Sequence, residues 1–111
     1  MTIEEFLEEF KKTSFEWTLE DRGQIIGARS VMGSLYASKR CPLTAVGEQI
    51  MGRYRPISSY FEVAEEMGLS RQDAVSISIA ADKDVGHDPE LRKQLLEIVG
   101  LEEKITVESV I

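Results

Sequence analysis

The stretch YFEVAEEMGLSRQDAVSISIAA, residues 60–81, decides the reading of the fold. It spells two short helices joined by a tight turn. Val63, Ala64 and Met67 fall on one face of the first helix. Gly68 can take the positive φ that closes a helix without a steric cost. Ser70 suits the cap of the next helix, and Asp73 stands three residues on, as in a capping box. Ala74, Ile77 and Ala81 then continue an apolar face at helical spacing.

This stretch resembles a helix-turn-helix unit. In that pattern a small residue in the first helix precedes a turn glycine by four positions, as Ala64 precedes Gly68. Apolar residues are wanted before the small residue, on both sides of the glycine, and twice in the second helix. Val63, Met67, Leu69, Ala74 and Ile77 fill those places. The resemblance covers about a fifth of the chain and concerns geometry. It implies a second helix able to enter the major groove through Arg71, Gln72, Asp73 and Ser76, with Arg53, Arg55 and Arg71 on phosphates. The same corner packs cores in proteins that never touch nucleic acid.

Outward from the corner, helical signals dominate. Thr2 and Glu5 form a capping box for TIEEFLEEFKKT, with Ile3, Phe6, Leu7 and Phe10 on one face and four glutamates on the others. FEWTLE alternates apolar and polar residues, which predicts a half-buried strand, and Asp21–Gly23 is a turn signal. Gln24–Arg29 then serves as the return strand of a hairpin, with Trp17 anchoring it on the first helix. Ser30–Arg40 reads as a short helix or an irregular segment. Pro42 favours a helix start, with Cys41 in the cap place and Leu43, Val46 and Ile50 inward as far as Gly52. Asp82–His87 reads as a polar loop. Asp88 caps a last helix with Pro89 first, Leu91, Leu95, Leu96 and Val99 inward, and Gly100 at its end. The tail 105–111 is a short strand or a disordered end. The expectation is one mainly α domain over residues 1–104: a compact bundle of four to five short helices with a helix-turn-helix-like corner and a small N-terminal β-hairpin. Phe6, Phe10, Trp17, Val46, Ile50, Phe61, Val63, Met67, Leu69, Ile77, Leu91 and Leu95 should form its core.

Composition narrows the function classes. The chain has 111 residues, 42% of them apolar, which suits one globular domain. One cysteine excludes an internal disulfide framework. MTIEEF carries acids where a secretory signal carries bases, and the apolar runs are too short for a bilayer. A soluble cytoplasmic protein is the expectation.

A net charge of −7 disfavours loose binding to nucleic acid or anionic membranes. That charge is uneven. Residues 1–21 hold seven acids and two bases, residues 22–55 six bases and one acid, and residues 56–111 twelve acids and five bases. The basic middle either folds against the acidic flanks or forms a patch for an anionic partner.

Individual residues offer little chemistry. Cys41, beside Lys39 and Arg40 at a helix start, has the setting of a thiol whose thiolate is favoured, against the alternative of a small buried residue. His87 is the only histidine, and no orienting Asn or Asp can be matched to it. Asp82, Asp84, His87 and Asp88 fail the calcium-loop pattern: Gly86 is fifth from Asp82 and Lys93 twelfth. One Cys and one His cannot make a structural zinc site. Neither GxxxxGK nor GxGxxG occurs. Arg53, Tyr54 and Arg55 could grip a phosphate or stack on a base, or pair with the acidic flanks.

The expected function is non-enzymatic. The chain reads as a small acidic binding or regulatory protein acting through a macromolecular partner, a protein first and nucleic acid second, with self-association compatible. No cofactor or metal is implied. Size and acidity are compatible with phage or bacterial accessory proteins, including inhibitors that offer carboxylates in place of phosphates. The alternative is a helix-turn-helix DNA-binding regulator. Candidate binding residues are Arg53, Tyr54, Arg55, Arg71 and Gln72, and Cys41 is the candidate reactive thiol.

Overall fold

The computed structural model describes residues 1–30 and 37–102. The expected tail 105–111 and the middle of the 30–40 segment lie outside the described residues. At the corner, α3 spans Tyr60–Glu66 and α4 spans Arg71–Asp82; they follow α1 (Ile3–Phe10) and α2 (Pro42–Met51) and precede α5 (Pro89–Val99). Gly68 has φ +77°, Leu69 N–H donates to Ala64 O at 3.0 Å, and Gly68 N–H donates to Glu65 O at 3.0 Å. Those two bonds satisfy the last carbonyls of α3 in the way that requires a left-handed residue between them. Ser70 Oγ accepts from Asp73 N–H at 3.1 Å and starts α4.

Near the N-terminus, Thr2 and Glu5 make the reciprocal capping box, with bonds of 3.0 and 3.1 Å. Phe6 and Phe10 are buried, and the Trp17 ring meets Phe10 edge-on at 4.9 Å. Trp17 therefore ties the sheet to α1, as expected. The expected hairpin is instead a three-stranded antiparallel sheet, β1 (Glu16–Leu19), β2 (Ile25–Ser30) and β3 (Ala37–Arg40), in that order. The end of the segment read as helical or irregular is thus a strand. The third strand has a physical reason, since a two-stranded hairpin is marginal alone. Trp17 lies opposite Gly27 across the β1–β2 pair, and a Cβ at Gly27 would stand 2.9 Å from the Trp17 ring. The glycine is what lets that ring lie over β2.

The centre of the fold is α2. Every residue from Pro42 to Glu48 is buried, and the helix touches α1, α3, α4 and the sheet. Gly47 sets its distance to α3: a Cβ there would run into Val63 Cγ1. Val63 is fully buried and β-branched, so it cannot swing away. Gly47→Ala should therefore destabilise the fold by about 1–3 kcal/mol, although alanine favours a helix by about 1 kcal/mol. In a Val63→Ala background the same change should stabilise. Urea unfolding of the four proteins decides the matter. An equal loss in both backgrounds would show that Val63 does not set this spacing.

Asp88 Oδ1 accepts from Glu90 N–H at 2.9 Å and Leu91 N–H at 3.4 Å, capping α5. Leu91, Leu95 and Leu96 are buried, as their spacing predicts. Two core expectations are corrected. Ile50 is 44% exposed because the packed stretch of α2 ends at Glu48, one turn before the helix does. Phe61 is 39% exposed because α3 buries Val63 and Ala64 instead. Among the described residues no helix is long and apolar enough to cross a membrane.

Candidate functional site

The basic loop after α2 is where sequence pattern and structure meet most directly. Arg53 Nη2 lies 3.4 Å from Glu66 Oε2. Arg55 is buried, donates to the same oxygen at 3.2 Å, and lies 4.0 Å from Glu62. Tyr54 is exposed, yet its ring packs on the guanidinium of Arg40, whose Cζ stands 3.9 Å from the ring centroid. All three candidate residues are thus engaged by their own protein. Lys39 likewise reaches Glu20 at 3.3 Å. Among the described residues, Lys39, Arg40, Arg53 and Arg55 of the basic middle lie against carboxylates.

Arg71 and Gln72 are exposed in the first turn of α4. The Arg71 guanidinium sits 5.2 Å over the Phe61 ring, a cation–π distance. These two side chains, with Glu65, rim a groove of about 400 Å³ between α3 and α4, floored by Ala64, Leu69 and Ala74. The structure brings Arg71 and Phe61 together but leaves Arg53 and Arg55 bound to α3.

Cys41 takes the cap place of α2. Its Sγ lies 3.4 Å from Thr44 Oγ1. Burial pushes its thiol up, Asp82 adds to this, and hydrogen bonds from Thr44 and Leu43 oppose it. That direction runs against the favoured thiolate that the sequence pattern suggests. Burial is the main reason, and the neighbouring bases are engaged elsewhere, Lys39 with Glu20 and Arg40 with Glu48.

In the polar loop, His87 Nδ1 lies 2.9 Å from Asp84 O, and Asp88 is occupied as a cap. Burial pushes the Asp82 carboxyl up, Asp84 adds to this, and Arg92 opposes it. Among the described residues no group of three or more His, Cys, Asp or Glu could hold a metal ion.

Sequence reasoning missed three features. One is the Arg40–Glu48 ion pair, with residues only 2% and 9% exposed. Another is Arg92, 3% exposed, whose guanidinium reaches backbone carbonyls of two separate segments. The third is an open groove of about 540 Å³ between α1 and α5, where Leu7 and Ile98 lie among Glu4, Glu8 and Glu97. Acids at 4 and 8 on the α1 surface could have signalled its rim. Nothing in the sequence places α5 beside them.

Compared with family models, characterised proteins and solved structures, the chain matches none.

Proposed function

We propose that this protein is a non-enzymatic binding or regulatory protein that acts through another protein. The observation that carries this reading is the use of its central bases. Lys39, Arg40, Arg53 and Arg55 each sit on a carboxylate of the same chain. What the chain offers a partner is a surface of net negative charge, with grooves between α1 and α5 and between α3 and α4 among those of the described residues. A polyanion is repelled by such a surface, whereas a basic partner is steered to it. A cytoplasmic setting suits its single thiol.

A helix-turn-helix DNA-binding regulator is the second reading. It is favoured by the exposure of Arg71 and Gln72 at the start of α4, after a corner whose turn glycine is left-handed. A labelled duplex, titrated at about 0.15 M salt, separates the two readings. The protein-binding reading expects no saturable binding. Tight, salt-sensitive binding, lost in Arg71→Ala and weakened in Arg53→Ala and Arg55→Ala, would overturn it.

A further inference from the structure

The groove between α1 and α5 has a floor and a rim of different chemistry. Its floor is Leu7 and Ile98, both half-buried, packed against the core on one side. Its rim carries Glu4 and Glu8, one helical turn apart on α1, and Glu97 across from them on α5. Lys11 also lines it, but its Nζ bonds Glu8 at 2.8 Å. Among the described residues no ion pair joins Glu4 or Glu97 to a base. The rim therefore holds two uncompensated negative charges around an apolar floor.

Lys11 already compensates Glu8, so the carboxylates that gain most from an arriving cation are Glu4 and Glu97, which face each other across the floor. A purely apolar occupant would strand the carboxylates, and a polyanion would be repelled by them. An occupant that presents an apolar stripe flanked by bases satisfies both parts. On a helix, Leu or Ile at every third or fourth position supplies the stripe, and Lys or Arg beside it reaches both walls. The eight residues of α1 span about 12 Å, which sets the contact at two to three turns of such a helix.

We propose that the α1–α5 groove receives a basic amphipathic helix of a protein partner, its apolar stripe on Leu7 and Ile98 and its bases against Glu4, Glu8 and Glu97. The assignment rests on the protein-binding reading above and names the partner's chemistry.

The test uses two Leu/Lys peptides of equal composition and about 14 residues, one with leucines at helical spacing and one scrambled. Each is titrated into the full chain and followed by amide shifts in two-dimensional NMR. The helically spaced peptide should perturb residues around Leu7, Gln94 and Ile98 and bind at least about tenfold tighter than its scramble. Glu4→Lys combined with Glu97→Lys should weaken it by at least about tenfold. Both positions are exposed, and a thermal melt confirms that the variant folds. Equal binding of the scramble, or no binding of either peptide, would overturn the proposal. Shifts around Phe61 and Ala74 would overturn the choice of groove and leave the protein-binding reading standing. Self-association abolished by the charge reversals would make a second copy the occupant, and so overturn it too. Failure of the broader reading would appear separately, in the duplex titration.

Discussion

Glu48→Gln should destabilise the protein by about 3–5 kcal/mol, the loss expected when one partner of a buried ion pair is removed. Arg40 Nε donates to Glu48 Oε2 at 2.9 Å, and Arg40 Nη1 donates to Lys39 O at 2.8 Å. The Tyr54 ring covers the guanidinium from the loop after α2. Arg40 ends β3 and Glu48 lies on the second turn of α2, so the pair fixes the angle at which the sheet meets the central helix. Removing the carboxylate charge leaves a guanidinium with little water to replace it. Arg40→Met should cost a comparable amount, because Glu48 is then the stranded ion. The double variant, Arg40→Met with Glu48→Leu, should recover much of the loss, since neither charge is left buried. Urea denaturation of the four proteins gives the coupling. Strictly additive losses would show that the two residues do not stabilise each other.

The parts of the fold that could be read in advance are those fixed by local rules. A left-handed residue after α3 and an acceptor side chain before α4 need only Gly68 and Ser70, and both are visible in the string. The same holds for Thr2–Glu5 and for Asp88–Pro89. The end of α4 was less legible. Lys83 takes φ +57°, and Asp84 N–H donates to Ile79 O at 2.9 Å, the same closure as at Gly68 without a glycine to announce it. Strand β3 was missed because ASKR has neither alternation nor β-branched residues. It is held by its register to β2, with Gly27 opposite Arg40 and Ala28 opposite Lys39. That is a long-range pairing no window shows.

The candidate site divides along the same line. Arg53, Tyr54 and Arg55 stand out in sequence because an aromatic sits between two bases. What occupies them is α3 and the end of β3, which only the fold supplies. Likewise, the basic neighbours of Cys41 suggest a favoured thiolate, whereas the fold buries the thiol and gives those bases carboxylates of their own. The balance of charge among acid, base and acid segments was the better guide, because opposite charges in one compact chain find each other unless geometry forbids it.

Arg92→Met should cost about 2–4 kcal/mol, and its signature should be spatially split. Arg92 Nη1 donates to Ala80 O at 2.8 Å and to Ala81 O at 3.2 Å, while Nη2 donates to Gly23 O at 2.8 Å. The first two carbonyls belong to the last turn of α4, the negative end of that helix, where a buried cation is favourable. The third belongs to the β1–β2 turn, 69 residues away in sequence. One planar fork thus stitches α5, α4 and the sheet together. Methionine keeps most of the apolar stem and removes the donors, so its effect reports the hydrogen bonds rather than a cavity. Bonds from a charged donor contribute about 1.5–3 kcal/mol each, and the desolvation of the guanidinium offsets part of their sum. Lysine keeps the charge but not the fork, so Arg92→Lys should fall between methionine and the parent. Amide exchange should quicken in two places at once, in the β1–β2 turn around Gly23 and in the last turn of α4. Faster exchange confined to α5 would mean that Arg92 serves its own helix alone. A stability unchanged in Arg92→Met would show that these carbonyls do not depend on it.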